Sequence, residues 1–453
     1  MRRHSLIASF HAPDSQSITL LEPNSVVTVI PFLDGTGSLN FGLGHTLDQL
    51  GRLNLVPSET AIDLALLAAT VWAADTRVSR SRESQDGWTR EMDLYIPAKD
   101  PALWSANSKL VARMLTFLTG DRWRLQFRLR EAGHEDLRPK MSQRKRTTFT
   151  GASLFSGGLD SFVGAIDQLG TNENPVFVSH YWDTSTSSQR PCAERLSAAY
   201  GDMAARQVRT HTGFPGNLVS GSKSESTTRG RSFLFLALAA LAASGMEGVP
   251  KIAVPENGLI SLNVPLDPLR LGALSTRTTH PFYLKRWQEL LGALDIPARV
   301  ENSYRFKTKG EMLSGCVNQA LLQSGLAETI SCSSMAKARW KKLSHRHCGF
   351  CVPCIIRQAA IHSAFGHDPT VYMLPLPTTK VLNSRSAEAE HIRSFQMMRR
   401  RLTQHPKLSR VLVHASGPLS DYSQAEADEY SAVFLRGIAE VGAVVDRARV
   451  KPM

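Results

Sequence analysis

The spacing of apolar and polar residues changes along the chain, and each change marks a region. Over 1–137 the run "SVVTVIPFLDG" is short and β-branched, whereas "TAIDLALLAATVWAAD" carries apolar residues at helical spacing. "EMDLYIPAKD" and "WRLQFRLRE" then alternate with the period of two of a half-buried strand. This pattern predicts an N-terminal α+β domain. "RPKMSQRKRTT", residues 138–148, is basic, contains a proline and has no aliphatic residue, and reads as a linker.

From 149 to 372 strand-like and helix-like runs take turns. "GASLF" precedes "SFVGAIDQL", "NPVFVSHYW" precedes "AERLSAAYGDMAAR", "QVRTH" precedes "SFLFLALAALAASG", and "PKIAVPEN" precedes "HPFYLKRWQELLGAL". Strands that alternate with helices of this length imply crossover units and a parallel sheet covered on both faces. Pro375 and Pro377 open a last region, 373–453, in which "EAEHIRSFQMMRRRL" and "DEYSAVFLRGIAEVGAVVDRAR" have helical spacing. It reads as a helical C-terminal extension.

Composition narrows the class. The 453 residues suggest two or three domains, and 42% hydrophobic with 21% charged residues is the balance of a water-soluble globular protein. The longest apolar run, Phe233 to Ala243, is far short of the roughly 20 residues that span a membrane. The apolar stretch in "MRRHSLIASFHAPD" is too short for the core of a signal peptide, so the expected location is cytoplasmic. A formal net charge of +13 favours anionic partners such as nucleotides, nucleic acid or an acidic protein. Arginines are scattered along the whole chain, so nucleic acid is not the favoured partner, and gripping it is only the rival reading of the basic 138–148 segment.

Two stretches carry chemistry. "SGGLDS" lies between the first strand-like run of the alternating region and the helix after it, where an α/β sheet places its ligands. Gly157 and Gly158 let the backbone turn tightly and approach an anion. The first amides of the helix would hold phosphate, and Ser156 and Ser161 add hydroxyl donors. Asp160 would repel phosphate unless a magnesium ion lies between them. The plain alternative is a capped helix start. Four of the six cysteines, Cys332, Cys348, Cys351 and Cys354, fall within 23 residues, the last three spaced C-x2-C-x2-C. Four thiolates complete the tetrahedron that zinc prefers, and a site closed by protein on all sides is structural. A three-cysteine iron–sulfur site is the rival, and His345 and His347 are alternatives to Cys332. Cys192 and Cys316 read as ordinary buried residues.

"SGGLDS", residues 156–161 and including Leu159, resembles the SGGxDS loop of the N-type ATP pyrophosphatases, the PP-loop family, and lacks the Gly-Lys-Ser/Thr of a Walker loop. Joined to the cysteine cluster, it resembles the QueC family of 7-cyano-7-deazaguanine synthases. "TRGRSFLFLALAALAA" is similar to the family's PGRNxxFLxxAxxxA segment, with Gly230, Arg231 and Ser232 in place. "YRFKTKGEML" is similar to its DKxE segment, with Lys309 and Glu311 matching and Thr308 replacing the aspartate. "CGFCVPCIIRQAA" is similar to CGxCxxCxLRxxG down to Arg357. The likeness spans about 149–370. With "IPAKDPALW" and "LTGDRW" in the first region, the chain is similar to the QueC-like subunits, QatC, of Qat anti-phage systems. Three features depart from the family: the 15 residues between Cys332 and Cys348, Ser232 where asparagine is common, and "SHYWDTSTSSQ" in place of TxDYGQ.

The resemblance implies an adenine-nucleotide α-hydrolase-like core, and ATP, magnesium and zinc as cofactors. The implied chemistry is carboxylate activation: the carboxylate attacks the α-phosphate of ATP, pyrophosphate leaves, and an amine displaces AMP to give an amide. Ser156, Gly157, Gly158, Leu159, Asp160 and Ser161 would bind ATP, with Asp160 on magnesium and Lys309 and Arg231 offsetting phosphate charge. The implied substrate is 7-carboxy-7-deazaguanine or a similar small molecule. The amine would be ammonia or a partner protein of a defence operon, docked by 1–137 and 373–453. A PP-loop tRNA-modifying enzyme and a non-catalytic nucleotide-binding subunit of a defence complex are the alternatives.

Overall fold

The computed structural model describes residues 2–10, 18–141, 148–182, 186–225, 227–267, 277–333 and 347–452. Its strands pair parallel in two large sheets and one small one. The first sheet holds β1 (Arg3–Ser9), β2 (Val26–Pro31), β3 (Glu91–Ala98) and β4 (Arg122–Leu129), in the order β2-β1-β3-β4. All its pairings are parallel. The expected α+β character of 1–137 is therefore corrected to α/β, because all four strands run parallel and helices connect β2 to β3 and β3 to β4.

The second sheet holds β5 (Gly151–Leu154), β6 (Pro175–His180), β7 (Gln207–Thr210), β8 (Lys251–Ala253) and β9 (Arg299–Glu301), in the order β7-β6-β5-β8-β9. It too is parallel throughout. Strand order reverses between β5 and β8, the place where doubly wound sheets open a crevice at their carboxyl ends. A small parallel pair, β10 (Val381–Asn383) and β11 (Arg449–Lys451), ties the two ends of the C-terminal region together.

The helices stack between and beside the sheets. In the first region these are α1 (Leu43–Arg52), α2 (Glu59–Arg77), the single turn α3 (Arg80–Glu83) and α4 (Pro101–Thr119). The second region has α5 (Leu159–Gly170), α6 (Gln189–Tyr200), α7 (Arg231–Ala243), α8 (Gly258–Leu262), α9 (Pro281–Ala293), α10 (Lys309–Ser314), α11 (Gln319–Gly325) and α12 (Val352–Phe365). The last region has α13 (Ala387–Gln404), the single turn α14 (Ser409–Leu412) and α15 (Gln424–Val445). The helix expected through Arg206 ends at Tyr200, where Gly201 takes φ +87°.

Every residue of α2 except Thr60 is buried, its few charged groups included. It packs on β1 and β3 from one side and on α7 from the other, while α4 bridges β4 and α9. One apolar core therefore runs from Leu6 through α2 and α7 to Ala298. The change at residue 137 is a change of sheet and not of core. At the other end, α13 and α15 share a core with the four cysteines and α8. No helix among the described residues is long and apolar enough to cross a membrane.

Candidate functional site

The turn after β5 is built for close approach. Gly157 takes φ +80°, and a Cβ there would lie 2.5 Å from the Ser188 hydroxyl and 2.7 Å from the amide nitrogen of Gln189. Only glycine fits. The Ser156 hydroxyl accepts from the Gly158 amide at 3.2 Å and donates to the Ser161 hydroxyl at 3.2 Å, while Ser161 donates to the Gly158 carbonyl at 2.9 Å. These contacts shape the turn without capping the helix. The N-cap of α5, Gly158, supplies no side-chain acceptor, so the first-turn amides remain available to a ligand. The hydroxyl of Ser188, at the N-terminus of α6, is buried against the same turn and has no hydrogen-bond partner among the described residues. Ser156 and Gly158 keep partial solvent access; Leu159, Asp160 and Ser161 are buried.

Across the switch point, the turn after β8 brings Glu256 and Asn257 to the same place. Asn257 donates to one oxygen of Asp160 from its backbone amide, at 3.1 Å, and from its side chain, at 2.7 Å. Its side chain also donates to Glu256 at 3.0 Å. The ammonium of Lys309 is in direct contact with the other Asp160 oxygen, and both groups are buried. Burial alone would raise the Asp160 pKa; the Lys309 charge, with hydrogen bonds from Glu256, Lys309 and Asn257, holds it below the usual carboxylate range. Glu256 moves the opposite way. Burial first, then the Asp160 charge beside it, pushes its pKa well above the ordinary value. The two carboxyls are therefore driven apart, Asp160 towards its charged form and Glu256 towards its neutral one.

Lys309 is placed by a helix start. Thr308 caps α10, accepting from the Glu311 amide at 3.1 Å, while the Glu311 carboxylate accepts from the Thr308 amide at 2.8 Å. Threonine and glutamate together form a capping box that fixes the helix start. The C-terminal region buttresses this start: Glu440 of α15 accepts from the Thr308 hydroxyl at 2.6 Å and from the Gly310 amide at 3.1 Å. Arg231, at the start of α7, donates to the His180 carbonyl at 3.1 Å at the carboxyl end of β6. The first region sets its position, because Asp75 of α2 accepts from the Gly230 amide at 2.7 Å. Asp160 and Lys309 are thus brought together, whereas Arg231 lies on the β6 side of the turn.

The four cysteine sulfurs lie within 4.8 Å of one another and are buried. Cys332 and Cys351 are 4.0 Å apart, as are Cys348 and Cys354. A Zn–S bond of about 2.3 Å places the sulfurs of a tetrahedral site about 3.8 Å apart, so one ion of the zinc kind fits. The amide of Cys351, capping α12, points at the Cys348 sulfur at 3.3 Å. His347 is engaged elsewhere, its Nε2 accepting from the Ser331 amide at 3.3 Å, and His345 lies outside the described residues, as do 142–147 of the linker and 183–185 of "SHYWDTSTSSQ". Arg357 is buried, donating to Tyr372, Thr329 and the Leu326 carbonyl. Cys192 and Cys316 are buried, and burial pushes both thiols up to about 12.

Glu256 and Asn257 are the site residues that sequence reasoning passes over. Their signal was present: an acid just past the run "KIAV", after Pro255, at the position across the sheet from the glycine turn. A cleft of about 730 Å³ opens between α9, β9 and the start of α15 and does not include the glycine turn. Several of its charges are paired, Arg305 with Glu426 at 3.0 Å and Asp421 with Arg286 at 2.8 Å. No protein-family model matches the chain, and no curated protein matches it.

Proposed function

We propose that the protein is an ATP-dependent ligase of the QueC-like kind, which activates a carboxylate as its adenylate and passes the acyl group to an amine. One observation carries this reading: the uncapped glycine turn of 156–161 meets the Asp160–Glu256–Lys309 charge cluster at the strand-order reversal between β5 and β8. An anion cradle alone has no use for buried carboxylates beside it. A nucleotide triphosphate with its magnesium does, and the hard oxygens of Asp160 and Glu256 suit that ion. Magnesium supplies neutralisation of phosphate charge when bound.

In this reading the amides after Gly158 and the hydroxyls of Ser156, Ser161 and Ser188 hold the β and γ phosphates. Binding draws Lys309 from Asp160 towards the phosphates, where its charge offsets that of the departing pyrophosphate. A carboxylate oxygen attacks the α-phosphorus, and the bond to the bridging oxygen of the β-phosphate breaks. The amine then bonds to the acyl carbon, AMP leaves, and the amine loses a proton. Catalysis is positioning and charge compensation, and the protein forms no covalent bond itself. The substrate is 7-carboxy-7-deazaguanine or a close relative, and the amine is ammonia or a group on a partner protein in anti-phage defence. The four cysteines hold structural zinc, which elemental analysis of the colourless protein should find at one ion per chain.

The test is pyrophosphate release from ATP and magnesium across a panel of carboxylates, with intact-mass analysis of products. Release that depends on 7-carboxy-7-deazaguanine and is lost in Asp160→Asn supports the ligase. A folded protein that releases none with any carboxylate overturns it.

A further inference from the structure

We infer that the cleft between the first-sheet layer and the carboxyl ends of β6 and β7 is the seat for a planar heteroaromatic ring, the non-reacting part of the acyl substrate. The inference rests on the ligase reading for what the ring carries, and on geometry for the seat itself. The cleft holds about 620 Å³ and is walled by Phe41 and Arg77 from the first region and by Trp182, His211 and Phe214 from the second.

Its rings are aligned and held. Trp182 and His211 are nearly parallel, 16° apart with centroids 6.2 Å apart. Trp72 of α2 meets Trp182 edge-on, at 85° and 5.1 Å, and donates from its indole nitrogen to the Thr212 carbonyl at 2.8 Å. The Arg77 guanidinium lies 5.6 Å from the centre of the Trp182 ring and donates to the carbonyls of Phe214 and Pro215, at 3.1 and 2.9 Å. At Gly42 the backbone runs so close to the His211 carbonyl that a Cβ would stand 2.1 Å from it. A preset aromatic shelf of this kind offers stacking at little ordering cost.

The shelf adjoins the anion site. Trp182 follows by two residues His180, whose carbonyl accepts from Arg231 and from Gln189, at 3.1 and 3.2 Å, and Gln189 abuts Gly157. Two residues span at most about 7 Å. A ring on Trp182 and His211 would therefore carry its carboxylate towards Arg231 and the bound ATP. The first region, on this account, walls the substrate site instead of serving only as a docking module.

Calorimetric titration of the full-length protein with 7-carboxy-7-deazaguanine tests the seat, with acetate as the ringless control and ATP titrated separately. Trp182→Ala should weaken ring binding at least tenfold and His211→Ala about threefold, with ATP affinity unchanged, and Trp182→Phe should recover most of the loss. Equal ring affinity in wild type and Trp182→Ala, or no ring binding by wild type, overturns the seat. Trp182-dependent ring binding by a protein that never releases pyrophosphate upholds the seat and overturns the ligase reading.

Discussion

Both large sheets reverse their strand order, the first between β1 and β3 and the second between β5 and β8, yet they fill the place differently. In the first, Arg130 beyond β4 is buried and paired with Glu59 and Asp63, at 2.5 and 2.6 Å. Asp63 also accepts from the Lys99 amide beyond β3, at 2.9 Å, and Glu131 accepts from the Ser9 hydroxyl at the end of β1, at 3.2 Å. The helix that follows β3 is capped by Asp100, which accepts from the amides of Ala102 and Leu103. Charge, donors and helix end are all used internally. In the second sheet the helix start has no side-chain cap, and two carboxyls face one lysine beside it. Topology offers the same crevice twice, and side chains decide which one can hold a ligand.

Four substitutions or conditions would break or sharpen that contrast. Arg130→Met leaves two buried carboxylates without their cation and should destabilise the fold by about 3–5 kcal/mol in chemical denaturation, with ATP affinity unchanged. Asp160→Asn should strike the chemistry instead: pyrophosphate release falls about 10²–10³-fold. Gly157→Ala forces a side chain into the left-handed region and against Ser188 and Gln189. It should lower ATP affinity at least tenfold and stability by about 1–3 kcal/mol.

Acidification supplies a graded test. Burial lowers the pKa of His180 and of His280 to about 3, below the value of about 6.5 expected when unfolded. The unfolded chain therefore binds the extra protons first. The stability contributed by each neutral ring is complete above about pH 6.5 and is lost as pH falls towards 3. The slope is about 1.4 kcal/mol per pH unit for each histidine, measurable as denaturation midpoint against pH, and His280→Gln should reduce it.

Much of the second sheet and its loop was legible because local signals and tertiary structure agree there. "GASLF", "NPVFVSHYW", "QVRTH" and "PKIAVPEN" each become a strand, and Gly157 of "SGGLDS" sits at the turn its freedom suits. The cysteine spacing was equally direct, since the C-x2-C-x2-C run and Cys332 converge on one point. The parallel pairing of 1–137 was not legible: β4 alternates in period two like an antiparallel strand because it lies at the sheet edge with one side exposed. The part played by both flanks was hidden as well. Asp75 and Glu440 reach Gly230 and Thr308 across 155 and 132 positions of sequence, and no local pattern announces such a contact.

The middle position of α2 has a further consequence. α7, "FLFLALAALAA", packs on the second sheet with one side and on α2 with the other, so a fragment beginning at 149 would expose the α2-facing side to water and should clump unless α2 is supplied in trans. On the ribosome α2 emerges more than a hundred residues before α7 and cannot finish its packing until α7 arrives. During that interval a nascent chain of this design is a natural client for chaperones.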